Sequence, residues 1–140
     1  TTEDVLAAVE FLFPAIEIID SRYKNFDFTL PDVIADNTSA AGAVFGPYVA
    51  LDSKVDLSEV EAALVVNGHT VAEGRGAAVL GQPAAAVAKL AKMLAAKGQK
   101  VPAGQPIMTG GITAAFMLSK GDVVQAVFSQ GLGEVSFTVK

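Results

Sequence analysis

The sequence predicts an α+β domain built on antiparallel strands, and three observations carry that expectation. Residues 61–66 and 70–74 are apolar, strand-forming runs that meet across Asn67-Gly68, the pair best suited to a two-residue hairpin turn. Residues 123–128 and 135–139 form a second such pair around Gly131-Leu132-Gly133. Against these strands stands one long helical pattern over 83–97, with Pro83 in its first turn and Gly98 at its end. In that helix Val87, Leu90, Ala91 and Leu94 fall on one face and Lys89, Lys92 and Lys97 on the other. With 140 residues, 51% of them hydrophobic, the chain is long enough to bury one core, so one domain is expected.

The remaining elements follow in order. Val5, Val9, Leu12 and Phe13 recur at helical spacing, predicting a helix over 3–13 that is capped by Thr1 or Thr2 and stopped by Pro14. Glu17 then lies in an Ile-rich strand, and Asp20-Ser21-Arg22-Tyr23 reads as a bend. Residues 30–35 form a helical turn opened by Pro31. The polar run Asp36-Asn37-Thr38-Ser39 is suited to capping, to an Asx turn or to lining a pocket. Strands are expected at 43–45 and 48–51, flanking Gly46-Pro47, and at 107–109 before a glycine pair. No internal repeat, low-complexity tract or linker is present.

Composition narrows the chemistry. Ten basic and fifteen acidic residues give a net charge of −5 without a Lys/Arg cluster, which argues against a nucleic-acid partner. There is no cysteine, so disulfides, thiolate metal sites and cysteine nucleophiles are excluded. No apolar run approaches the ~20 residues that span a bilayer, and Thr1-Thr2-Glu3-Asp4 lacks the basic start of a signal peptide. The expectation is a soluble, cytoplasmic protein. The absence of an initiator methionine suggests a piece of something longer.

Three polar groups stand out against the apolar background. Glu17 is flanked by Ile16 and Ile18, so a strand directed to the core would place its carboxylate where water is scarce, at a cost of several kcal/mol if unpaired. A hard cation or an ion pair with Arg22 would each compensate. The second group is the Asp36–Ser39 loop. The third is Thr109-Gly110-Gly111-Ile112-Thr113, whose glycines can turn backbone N–H groups toward a carboxylate, or simply form a tight turn. The one histidine, His69, follows the hairpin turn and is read as exposed. Any metal would therefore be oxygen-ligated, such as Mg²⁺ or Mn²⁺, and Asp20, Asp32, Asp36 or residues from elsewhere would have to join Glu17.

These motifs occur in an order that resembles the fumarylacetoacetate hydrolase superfamily. They are residues 14–22, residues 32–39 with Gly42, Asn67-Gly68, residues 76–83, residues 109–115, Gly121-Asp122 and Gly131-Leu132-Gly133. Within it they are similar to the branch of 2-keto-4-pentenoate hydratases and 4-oxalocrotonate decarboxylases, and Thr109-Gly110-Gly111-Ile112-Thr113 looks more like the decarboxylases. The resemblance implies a mixed β-roll of mostly antiparallel strands with outer helices. It also implies a divalent ion, Mg²⁺ or Mn²⁺, held by a Glu-x-Glu pair and a third acid that Glu17 matches. No Glu-x-Glu precedes Glu17 here, since Glu59-Val60-Glu61 lies after it. The chain is thus expected to be the C-terminal catalytic region of a longer enzyme. The hydrolase branch has a lysine where this chain has Thr38 or Ser39 and a hydroxyl residue where it has Gly111, which argues against acylpyruvate hydrolysis. Gln82-Pro83 replaces the usual His-Pro.

The activity implied is metal-dependent decarboxylation of 2-oxohex-3-enedioate. Glu17 would ligate the metal, and Ser39 and Asn37, with Thr38 and the Gly110-Gly111 backbone, would orient the substrate carboxylate. Asp36 would place the surrounding hydrogen bonds. Homo-oligomers and a partner hydratase are the assemblies implied. The alternatives are hydration of 2-hydroxypenta-2,4-dienoate on the same scaffold and a catalytically incompetent structural unit.

Overall fold

The computed structural model describes residues 1–52 and 54–140. Its centre is a four-stranded antiparallel sheet in the order β6-β5-β7-β8, formed by β5 (Glu61–Val66), β6 (His69–Arg75), β7 (Val123–Phe128) and β8 (Gly133–Thr138). Both expected hairpins are present. Asn67 and Gly68 take φ of 52° and 81°, the left-handed pair a tight primed turn requires. The Asn67 side chain ties that turn to the neighbouring strand: its Oδ1 accepts from Val123 N at 2.9 Å and its Nδ2 donates to Asp122 at 2.8 Å.

Asp122 also accepts from Ser119 N at 2.7 Å. These bonds, the Ser119 amide first and Asn67 second, hold the Asp122 carboxyl below the ordinary carboxylate range. A group whose pKa is depressed by folding contributes stability above its unfolded pKa of about 4 and loses it as pH falls through the folded value. Acid titration of unfolding should therefore show wild-type stability dropping below about pH 4, with Asp122→Asn less stable at neutral pH and losing less in acid. Equal acid slopes in both proteins would contradict this assignment.

Two short ribbons flank the sheet. β1 (Phe11–Leu12) pairs with β4 (Val49–Ala50), and β2 (Ala15–Ile19) pairs with β3 (Ala40–Phe45). Each pairing is antiparallel. Gly46 joins ribbon to sheet, since a side chain there would meet the Glu134 carbonyl of β8 at 2.6 Å.

Three helices complete the architecture: α1 (Thr2–Ala8), α2 (Leu30–Ala35) and α3 (Pro83–Ala95). Thr1 and Asp4 cap α1 reciprocally. The helix expected over 3–13 is shorter than its periodicity suggested: Val9 leaves with ψ 124°, and Phe11 and Leu12 are drawn into pairing with β4. In α2, Asp32 accepts from Thr29 N at 2.9 Å and from Thr29 Oγ1 at 2.6 Å. At the end of α3, Gly98 takes φ 69° and lets Gln99 N donate back to Leu94 O at 2.9 Å.

The buried face of α3 differs from the expected one. Ala84 and Ala88 are buried, whereas Leu90 is exposed. α3 packs against α1, and Ala84, Val87, Ala88 and Ala91 all border an open cavity. The core itself is modest. Val124 is its most enclosed large side chain, and Leu57, Val60 and Leu132 cluster with Leu6, Leu12 and Phe128 packed around them. Large apolar side chains remain outside, among them Phe11, Phe13, Phe45 and Tyr48, which make edge-to-face contacts with Phe11 and Tyr48 at 4.6 Å. No helix among the described residues is long and apolar enough to cross a membrane.

Candidate active site

β2 presents Glu17 directly opposite Ala43 of β3. The carboxylate is exposed, in contrast to the water-poor setting expected from its aliphatic neighbours. The reason is architectural: a two-stranded ribbon has one strand pairing and an open face, and nothing among the described residues covers it. Its ion-pair alternative is also overturned, because Arg22 Nε pairs with Asp36 Oδ1 at 3.1 Å instead.

Glu17 lines a concave, mostly apolar space of about 2230 Å³, bordered by β2, by α3 and by residues 101–118. Thr109, Gly110, Gly111 and Thr113 line the same space. The structure thus brings two of the three predicted groups to one cavity. Small-molecule pockets typically enclose about 300–1,000 Å³. This one is far larger, with room for further polypeptide as well as a small ligand.

The strand expected at 107–109 does not form, and residues 105–111 run without regular structure. A strand needs a ladder partner, and no strand among the described residues pairs with this segment. Its position is nevertheless fixed. The Ile112 carbonyl packs directly against Gly74 of β6, in the space a Cβ would take, and the Val79 side chain lies under Gly110. Gly110 has φ 121°, a backbone conformation that requires glycine.

The third group, residues 36–39, sits at the end of the β2–β3 ribbon and does not line the cavity. Asp20, which does line it, donates its N–H to Ser39 O at 2.8 Å, so the loop stands at the cavity rim. Glu17 lies three residues along β2 from Asp20, on the order of 10 Å away. Asn37, Thr38 and Ser39 form a 3₁₀ turn with φ of 52°, 57° and 58°. For asparagine this is mild. For β-branched Thr38 it is a real departure, and such residues cost of order 1–3 kcal/mol each unless the surroundings enforce them.

The surroundings here are Asp36 and Arg22. Asp36 is buried, and its Oδ2 accepts from Ser39 Oγ at 3.0 Å, Arg22 N at 3.2 Å and Ser21 Oγ at 3.4 Å. The Arg22 guanidinium donates to the carbonyls of Asp36 at 3.0 Å and Ala40 at 3.2 Å, one on each side of the turn. Ser39 is buried with its hydroxyl on Asp36, while Asn37 and Thr38 are exposed. Nearby, loss of solvent and then the Asp32 and Asp36 carboxylates push the Tyr23 phenol above its ordinary pKa. The Arg22–Asp36 pairing was invisible in the sequence because it spans 14 residues, and Arg22 had a nearer candidate in Glu17.

The family model described as fumarylacetoacetate (FAA) hydrolase C-terminal matches residues 1–140. The chain belongs to the fumarylacetoacetate hydrolase family. Among its relatives, a 4-oxalocrotonate decarboxylase of Pseudomonas putida is 48% identical over 133 residues, covering 95% of this chain and 50% of that protein. A 2-hydroxyhexa-2,4-dienoate hydratase of Comamonas testosteroni is 37% identical over 136 residues, covering 97% and 51%. The solved 4-oxalocrotonate decarboxylase from Pseudomonas putida G7, complexed with magnesium and adipate, superposes with a TM-score of 0.92 at 44% identity, over 99% of this chain and 52% of that one. The chain spans about half the length of these relatives. The antiparallel α+β fold expected from the sequence is the fold of this fumarylacetoacetate hydrolase domain.

A metal fits this half of the site only in part. Glu17 is a suitable oxygen ligand, exposed and without a competing ion pair among the described residues. No group of three acidic, histidine or cysteine side chains comes together among those residues. Glu17 is thus a candidate oxygen ligand that the described residues do not by themselves make into a three-ligand site.

Proposed function

We propose that this chain is the C-terminal catalytic part of a metal-dependent 4-oxalocrotonate decarboxylase, acting with an upstream segment that fills the large cavity and supplies the remaining metal ligands. The observation that carries the reading is 48% identity to a decarboxylase against 37% to a hydratase, with Glu17 and the Thr109–Thr113 segment both among the residues lining one broad cavity. Mg²⁺ or Mn²⁺ suits an oxygen-ligated site. Such an ion supplies charge stabilisation for the oxygens of a 2-oxo acid.

This chain's own residues hold and orient the substrate. The Gly110-Gly111 backbone, free of side chains, approaches a carboxylate, and the Asn37–Ser39 turn at the rim offers further donors. With 2-oxohex-3-enedioate so held, the bond to the distal carboxyl carbon breaks and carbon dioxide leaves. The electron pair passes along the conjugated chain to the 2-oxo oxygen, which takes up a proton to give 2-hydroxypenta-2,4-dienoate. The apolar walls keep the developing charge from bulk water. Phe11, Phe13 and Phe45 line the same cavity, so the aromatic cluster they form with Tyr48 offers apolar surface to that upstream segment.

The test uses a full-length fusion in which the upstream half of the Pseudomonas putida decarboxylase precedes Thr1. With Mg²⁺ or Mn²⁺ it should release carbon dioxide from 4-oxalocrotonate. Hydration of 2-hydroxypenta-2,4-dienoate without carbon dioxide release would move the assignment to the hydratases. Neither activity in a folded, metal-binding fusion would favour a structural role.

A further inference from the structure

We propose that Arg22 and Asp36 form a clasp that holds the Asn37–Thr38–Ser39 turn in its left-handed shape, making Arg22 a positioning residue for the substrate's carboxylate at the cavity rim. The inference rests on the decarboxylase reading but concerns a pair to which that reading gives no joint role. It also changes the part played by Ser39.

The geometry is that of a bracket. Arg22 donates to the carbonyl just before the turn and to the carbonyl just after it, at 3.0 and 3.2 Å, while its Nε holds Asp36 at 3.1 Å. Asp36 in turn takes the Ser39 hydroxyl and the Arg22 amide. Three successive non-glycine residues with positive φ are thereby fixed from both ends and from below. The Ser39 hydroxyl is directed inward to the clasp. The side chains of Asn37 and Thr38 are exposed, with Thr38 Oγ1 donating to the Asn37 carbonyl at 2.7 Å, and the turn is tied to the cavity lining through Ser39 O, which accepts from Asp20 N at 2.8 Å.

Only a guanidinium satisfies this bracket. Its two Nη nitrogens donate in one plane to two carbonyls while the same cation pairs with the Asp36 carboxylate, whereas a lysine ammonium is a compact point charge on a flexible stem. Arg22 lies five residues along the chain from Glu17, beyond the end of β2, and the clasp shares no hydrogen bond with Glu17 among the described residues. Loosening it should therefore disturb dicarboxylate binding while leaving metal binding intact.

The experiment measures Arg22→Ala and Arg22→Lys in the full-length fusion. Calorimetry should show Mn²⁺ affinity within about twofold of wild type. Adipate binding at saturating Mg²⁺ should weaken about tenfold or more in both variants, and added guanidinium at millimolar concentration should restore it in Arg22→Ala alone. Decarboxylation should follow the same pattern, with kcat/KM falling about 10–100-fold. If adipate binding behaves this way but no carbon dioxide is released by the wild type, the clasp stands and the decarboxylase assignment fails. Adipate binding unchanged in Arg22→Ala, absent in the wild type, or lost together with Mn²⁺ affinity, overturns the clasp.

Discussion

Glu17→Gln in the full-length fusion should reduce kcat/KM for decarboxylation by about 10³-fold or more, equivalent to about 4 kcal/mol of transition-state stabilisation, without unfolding the protein. The amide keeps the shape of the side chain and removes its charge, so the change isolates ligation. The fold should tolerate it because Glu17 is exposed on an open ribbon and no ion pair to it is found among the described residues. Exposed substitutions away from packed features usually change stability by less than about 0.5 kcal/mol. Steady-state kinetics, with thermal unfolding as the control for folding, decide the matter. A variant whose kcat/KM stays within threefold of wild type removes Glu17 from the site.

Gly74→Val should be the most damaging single change to the architecture that supports the site. Any Cβ at residue 74 would overlap the Ile112 carbonyl and crowd the Ile112 side chain. The clash is with backbone, which cannot swing aside as a side-chain tip would. Overpacking of this kind costs about 3 kcal/mol, or the Thr109–Thr113 segment lifts off β6 and the cavity wall is lost. The two results are separable. Urea unfolding reads the first as a lower midpoint at unchanged slope. Hydrogen exchange reads the second as faster exchange of the amides in 109–113, accompanied by lost activity. Wild-type stability, exchange and activity together would show that the segment is not held there.

Much of the fold was legible where local chemistry decides structure. Asn67-Gly68 is suited to a tight turn by its own residue types, and the strands on either side pair across it. The helical turn opened by Pro31 and the Pro83 and Gly98 boundaries behave in the same way. The failures lie where distant residues decide. Residues 107–109 have strand composition but no ladder partner among those described, and Phe11 and Leu12 exchange a helical pattern for pairing with residues almost forty positions away. The buried face of α3 was misjudged because hydrophobicity favoured Leu90, whereas the residues buried are Ala84 and Ala88.

The site divides along the same line. Glu17 and the diglycine are legible as candidates, a charge among aliphatics and backbone without side chains. The setting of Glu17 was misread, because an isolated apolar run does not reveal whether its strand will be covered. Asp36 and Ser39 were legible as polar residues of one loop, but not as a buried carboxylate and an inward hydroxyl, since Arg22 and Ser21 reach them from the previous element. The turn's positive φ values have no signature in Thr38 itself, a residue type that avoids them.

The claim on which the rest depends is that Glu17 ligates a divalent ion inside the cavity bordered by the Gly110-Gly111 segment. Anomalous diffraction from Mn²⁺ in crystals of the full-length fusion tests it most directly. The expected result is one metal peak about 2 Å from a Glu17 carboxylate oxygen, with the remaining ligands from the upstream half and a bound dicarboxylate between the ion and residues 109–113. A metal peak in the same cavity with the Glu17 carboxylate turned away and beyond coordinating distance would contradict it.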